Sequence, residues 1–259
     1  MIEQLFRPEQ IGQAIELKAR FGSEAVYMGG GSKLNATPTH TRRTIAILLD
    51  RLGLDGIEWQ QGALRLGATC TLQAIQDHPD TPPALTEALG FVYSRHLRNQ
   101  STLGGELASL THDSVLYPVL LVLEARLLLE GGDTLGIEAY LAGRRDQLVL
   151  AVLLPEPTLT CATRRIRRNA DGLGVVTAAV ALDQEGRARI ALAEVERAPR
   201  RLHDAERGAL APEVLEKIVA ELIQPECDLA GSRDYKRYIT GVVVADLLID
   251  CQQSMGGQA

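Results

Sequence analysis

Three consecutive glycines, Gly29, Gly30 and Gly31, close an apolar run and lead directly into Ser32, Lys33 and Leu34. Glycine loses more chain entropy on folding than any other residue, so a cluster needs a reason. Successive glycine amides can form a concave nest for a phosphate oxygen, to which Ser32 adds a hydroxyl and Lys33 a charge. Taken alone, the stretch fits a tight turn equally well. It has neither the GxxxxGK[ST] nor the GxGxxG spacing of the common nucleotide loops. A second stretch, residues 99–109, repeats the chemistry: Ser101 and Thr102 precede the pair Gly104 and Gly105. Two such loops suit two adjacent phosphates better than one does. In a third stretch, residues 66–72, Gly67, Ala68 and Thr69 lie at a strand end. There a packed glycine and a threonine cap account for the pattern without a ligand.

Other chemistries find no support in the residue types. The five histidines, His40, His78, His96, His112 and His203, lack metal-ligand spacing. The four cysteines, Cys70, Cys161, Cys227 and Cys251, form no short-spaced pairs, which argues against a zinc, iron–sulfur or disulfide framework. HExxH and GxSxG are absent, and no paired carboxylates stand in a recognisable frame. The basic run of residues 164–168 reads as a solvated strand face.

The bulk composition is that of an ordinary globular chain, with 46% hydrophobic and 23% charged residues. A net charge of −6 speaks against a general nucleic-acid binder, which needs excess Lys and Arg. The N-terminal residues carry no basic segment followed by an apolar one. The apolar run of residues 115–129 is interrupted by Pro118, Glu124 and Arg126, so no membrane span is expected. These features together lead us to expect a reduced, cytoplasmic setting.

The elements that must position the glycine loops follow from periodicity. Apolar residues recur at helical spacing over residues 8–21, and a strand over 25–28 precedes the glycines. A short strand spans residues 44–50. Residues 57–68 read as a hairpin turning at 60–62. Thr71 caps a helix that stops before Pro79, and Pro82 and Pro83 open another that runs roughly to Tyr93. Residues 94–101 read as a polar loop. A helix and a strand then share residues 115–130, with Gly131 and Gly132 as a turn, and residues 148–157 hold a strand closed by prolines. Beyond Pro155 the pattern shifts to three strands, over residues 160–169, 173–183 and 188–197, followed by two helices, 212–223 and 235–251. The fold class is α+β, with domains at 1–157 and 158–259.

The ordered set of motifs resembles the FAD-binding subunit of the molybdenum hydroxylases, the family of xanthine dehydrogenase and the carbon monoxide dehydrogenase medium subunit. GGGSKL, residues 29–34, occupies the place of that family's A-G-G-T-D-L loop. LGATCTL, residues 66–72, resembles its I-G-A-x-x-T-L segment. In HLRNQSTLGGELASLTHDSVLYP, Arg98, Asn99, Thr102, Gly104, Gly105, Ala108 and Pro118 fall in register with the family's Q-I-R-N-x-A-T-I-G-G-N-I-A-N-A-S-P-x-x-D run. IQPECDLAGSRDYKR resembles its closing I-x-P-x-x-D-x-x-G-S-x-x-Y-K-R signature. Any one motif is weak, but together they cover nearly the whole chain in order. There are also departures. Lys33 replaces the loop aspartate, and Glu106 replaces the asparagine after the glycine pair. Val115 takes a position held by aspartate, with Asp113 two residues early. Segment 140–148 is short, and no cysteine-rich insert is present.

The resemblance implies a two-subdomain FAD-binding domain of the vanillyl-alcohol-oxidase/PCMH type, about 1–55 and 56–157. A C-terminal three-stranded antiparallel sheet with helices would follow it. FAD would lie between the subdomains, its pyrophosphate held by Gly29, Gly30, Gly31, Ser32, Lys33 and Leu34 and by Thr102, Gly104 and Gly105. Thr69, Ser101 and Asp113 would be further contacts. No side chain is needed as acid or base. Partners would be a [2Fe–2S] subunit and a molybdenum-cofactor subunit, with NAD a candidate acceptor. The rival expectation is a scaffold subunit that has lost FAD, motivated by Lys33, Glu106 and the short 140–148 segment.

Overall fold

The computed structural model describes residues 2–36, 43–111, 113–143, 147–169, 172–207 and 211–256. Three sheets follow one another along the chain. The first is parallel, in the order β1-β3-β2. It is made of β1 (Gln4–Phe6), α1 (Ile11–Phe21), β2 (Ala25–Met28), α2 (Ser32–Ala36) and β3 (Ile45–Leu48). Its small core holds Ala14 of α1 against Ala25, Ile45 and Ile47, with Phe6 and Phe21 rings 5.2 Å apart. β3 is the central strand, flanked on both sides, so it reads as a continuous apolar run rather than an alternation.

The second sheet is antiparallel, in the order β4-β5-β8-β6-β7. It starts with the hairpin of β4 (Ile57–Gln60) and β5 (Ala63–Gly67). Gln61 and Gly62 both have positive φ, 51° and 82°, the mirror-image turn whose twist matches paired strands. There follow α3 (Leu72–Asp77), α4 (Pro83–Gly90), α5 (Arg95–Gln100), α6 (Leu103–Ser109) and α7 (Tyr117–Val122). β6 (Arg126–Leu129), β7 (Thr134–Gly136), α8 (Ile137–Ala142) and β8 (Val149–Leu154) complete the unit. The Thr71 hydroxyl caps α3 by accepting from the Ala74 amide at 3.1 Å, as expected. Two expectations fail here. Residues 95–100 are helix, not polar loop, with Ser94 as the cap. The second glycine stretch is likewise no open loop, because residues 103–109 form α6 behind the Thr102 cap.

The third sheet is antiparallel, in the order β12-β11-β10-β9. It comprises β9 (Thr160–Arg167), β10 (Gly174–Leu182), β11 (Ala188–Ala193) and β12 (Arg200–Arg201), with α9 (Pro212–Leu222) and α10 (Arg233–Gly256) packed on it. The three expected strands are β9 to β11. β12 adds a two-residue edge too short and too charged to read as a strand in sequence. β10 is buried on both faces. Ala179 and Ala181 point into the core that includes α7, while Val176, Ala178 and Val180 point into the core beneath α9 and α10. Among the described residues no helix is long and apolar enough to cross a membrane.

The segment between α9 and α10 is held by a buried cation. Lys236 is 1% exposed, and its ammonium donates to Asp228 Oδ2 at 2.7 Å. Burial pushes the Asp228 carboxyl up. The Lys236 hydrogen bond and the Ala230 and Gly231 amides outweigh that and hold it below its ordinary value. The sign is that of a depressed acid: its stabilisation is present above the unfolded-state pKa and lost as pH falls through the folded one. We expect Asp228→Asn to cost about 1–2 kcal/mol at neutral pH, less than for a fully buried pair because Asp228 is half exposed. The variant should also lose less stability on acidification than the parent. Urea unfolding at neutral and acid pH checks both, and an unchanged midpoint would exclude the clamp.

Candidate functional site

Strand β2 ends at Met28, and the chain turns through Gly29, Gly30 and Gly31 into α2. Gly31 sits at φ 71°, in the left-handed region that glycine enters without strain. The turn presses against the C-terminal end of α5. A Cβ on Gly30 would overlap the Gln100 carbonyl oxygen, and one on Gly29 would overlap the Thr102 hydroxyl. The two loops are joined by a hydrogen bond from Ser101 Oγ to Ser32 Oγ at 2.9 Å. The glycines at 29 and 30 are therefore required by loop-to-loop approach. A phosphate is not needed to explain the absence of their side chains.

The backbone donors divide unequally between the loops. At the start of α6, Leu103 N donates to Cys70 O at 3.0 Å, Gly104 N to Ala68 O at 2.8 Å, and Gly105 N to Thr102 Oγ1 at 3.3 Å. A Cβ on Gly104 would come within 2.9 Å of Ala68, so this glycine too serves packing. The amides of residues 29–34, by contrast, donate none of the loop and cap hydrogen bonds among the described residues. The donors available to an anion lie on the first loop.

A cavity of about 670 Å³ opens beside these loops, and a second of about 160 Å³ shares its wall at Gly29, Arg43, Thr102, Gly105, Ala108 and Ser109. The larger volume falls within the roughly 300–1,000 Å³ typical of ligand sites. Gly104 lines the larger cavity, and Gly30, Gly31, Ser32, Lys33 and Leu34 line the smaller. Of the other expected contacts, Ser101 is buried and spends its hydroxyl on Ser32. Thr69 lies behind, its amide on Leu54 O, and Asp113 is exposed in the turn after α6. None of these three is among the lining residues. His40, His112 and residues 144–146 of the short segment lie outside the described residues.

Several lining residues were not singled out in sequence. Lys18 reaches from α1 to the carbonyls of Gly22 at 2.8 Å and Ala25 at 3.0 Å. Tyr27 lines both cavities, and its hydroxyl pKa is raised by burial and by the nearby Glu130 carboxylate. Tyr140 closes the far side, its pKa also raised by burial. Both phenols therefore stay protonated, the Tyr27 proton being directed to Glu130. Tyr140 opens the short segment 140–148 already noted as a departure in sequence. Lys18 and Tyr27 look like ordinary helix-surface and strand residues.

The electrostatics favour an anion on the first-loop side. Lys18, Lys33 and Arg43 line the cavities. The one carboxylate at the α6 wall, Glu106, lies 3.6 Å from Lys33 Nζ, so its charge is compensated. Among the described residues no group of three His, Cys, Asp or Glu side chains could hold a metal.

Comparison with known proteins gives this geometry a family. Residues 1–157 match the family described as "FAD binding domain in molybdopterin dehydrogenase". The chain belongs to that family. The protein YgfM of Escherichia coli K12 is 55% identical to it over 254 residues, 98% of each chain. The carbon monoxide dehydrogenase medium chain of Hydrogenophaga pseudoflava is 24% identical over 273 residues, 92% of each. The fold is shared with two solved structures. Carbon monoxide dehydrogenase from Hydrogenophaga pseudoflava superposes with a TM-score of 0.89 at 21% identity, covering 98% of both chains. Quinoline 2-oxidoreductase from Pseudomonas putida 86 gives 0.87 at 20% identity, again covering 98% of both. FAD is thus the cofactor of this molybdopterin-dehydrogenase flavin domain. The residues present fit it: the first-loop residues with Lys18, Lys33 and Arg43 line cavities of suitable size, and Glu106, behind Gly105, is paired with Lys33.

The close approach of the loops makes a sharp prediction. Gly30→Ala must displace the Gln100 carbonyl, and we expect it to cost about 1–3 kcal/mol, as overpacking does. Ser32→Ala removes only the Ser101 hydrogen bond, worth about 1 kcal/mol. Thermal unfolding of both variants orders the two effects; equal losses would contradict the packing account.

Proposed function

We propose that the protein is the FAD-binding electron-transfer subunit of a molybdenum hydroxylase-type oxidoreductase of the xanthine dehydrogenase-like kind, acting in the cytoplasm. In this reading electrons pass between a [2Fe–2S] subunit and an acceptor, for which NAD is a candidate, and a separate subunit carries the molybdenum cofactor. The observation that supports it most is the glycine turn at 29–34. Its amides donate none of the loop and cap hydrogen bonds among the described residues, and it stands beside a cavity large enough for a cofactor, in a chain of the flavin-domain family. The name of the similar Hydrogenophaga chain, a medium chain of carbon monoxide dehydrogenase, supports a role within a larger complex. The same reading divides the chain into a flavin domain, 1–157, and a C-terminal domain, 158–259.

The residues of this chain bind and orient. The amides of residues 29–34 receive the pyrophosphate, with Ser32 and the cations beside it. Tyr140 supplies a protonated hydroxyl at the wall. Leu141, Leu148 and Val149 give the larger cavity an apolar side that keeps water from the ring system. FAD, when bound, supplies the redox chemistry, so the site needs no acid–base pair of its own. Among the described residues no group of three or more His, Cys, Asp or Glu could hold a metal, which is compatible with that division of labour.

The visible spectrum of the purified chain tests the reading. We expect flavin absorbance and the release of FAD on denaturation. A colourless protein that also fails to take up added FAD would favour the scaffold reading instead.

A further inference from the structure

Glu106 is the feature least expected at a pyrophosphate site. Its side chain is 10% exposed, and it stands in the first turn of α6, next to Gly105, which lines both cavities. A nearly buried carboxylate beside a bound dianionic group would repel it strongly, because little water remains to screen the charges. Its partner is Lys33, on the opposite loop, at 3.6 Å. The two residues are unequal. Lys33 is 45% exposed on a flexible stem and itself lines the smaller cavity, whereas Glu106 is fixed in a capped helix. The separation is longer than a good charge-assisted hydrogen bond, so Lys33 is held loosely and can turn toward the cavity.

We propose that Lys33 and Glu106 form a charge-compensating pair that sets FAD affinity: Lys33 shields the pyrophosphate from Glu106, and Glu106 holds back part of the attraction Lys33 would otherwise exert. The inference rests on the FAD reading above and assigns opposite signs to two residues in contact. Removing Lys33 exposes the cofactor to an uncompensated carboxylate. Removing the charge of Glu106 releases a whole ammonium to the phosphates. A pair that only braced the two loops would give losses for both changes.

The test is a double-mutant cycle read by the dissociation constant of FAD, from quenching of flavin fluorescence on the apoprotein of the full chain. Lys33→Met is expected to weaken binding about tenfold or more, the usual consequence of leaving a charge unpaired in a desolvated place. Glu106→Gln, which keeps the shape, is expected to tighten it. The double variant and the exchange K33E/E106K should both lie closer to the parent than Lys33→Met does. Weaker binding by Glu106→Gln, or equal constants for all variants, would overturn the proposal while leaving FAD binding intact. A parent chain that binds no FAD would instead overturn the functional reading itself. Thermal unfolding of each variant separates loss of affinity from loss of fold, and the exchange variant decides the matter should Glu106→Gln fold poorly.

Discussion

The structure depends on one close approach, that of the Gly30 backbone to the carbonyl of Gln100. It brings a turn of the parallel sheet against a helix end carried by the antiparallel sheet, with no side chain between them. The Ser101–Ser32 hydrogen bond and the Lys33–Glu106 pair lie along the same seam. The Thr71–Thr102 bridge and the bonds from α6 to Ala68 and Cys70 then fix the far wall to the second sheet. Backbone groups cannot be packed this tightly by a residue with a Cβ, so glycine is needed here for steric reasons before any ligand is considered. The cavity follows from the seam: two rigid walls meet at one edge and diverge from it.

This changes the meaning of the glycine pattern. In sequence, two glycine-rich stretches suggest two sets of phosphate-binding amides. In the folded chain one set is consumed. Leu103, Gly104 and Gly105 donate to neighbours within the second sheet's own unit, while the amides of residues 29–34 donate none of the loop and cap hydrogen bonds among the described residues. The groove is asymmetric as a result. One wall offers amides and cations, and the other offers small residues and a threonine.

Much of this was legible, for reasons that can be named. The Gln61 and Gly62 turn, the Thr71 cap, the buried β3 and the long β10–β11 hairpin all follow from local chemistry. The glycine stretches drew attention to the two segments that the fold brings together beside the cavities. The helices α5 and α6 were not legible. They are short and polar, no amphipathic period can show over so few residues, and caps from Ser94 and Thr102 with docking hold them. Lys18 was missed because its role is fixed by where α1 docks. Lys236 was missed because lysine is almost never buried without a partner, and its partner Asp228 sits in an irregular segment.

The two-sided burial of β10 has a consequence for how the chain behaves as a whole. Alternate residues of a single strand are shared between two hydrophobic cores, so neither core is complete without it. α7, whose residues are buried throughout, rests on β10 and β11 rather than only on its own sheet. The change in pattern near residue 157 is therefore a boundary in sequence without being one in packing. The second and third sheets should melt as one cooperative unit. The cavity wall carried by α6 thus rests on a core that β10 and β11, far along the chain, help to complete.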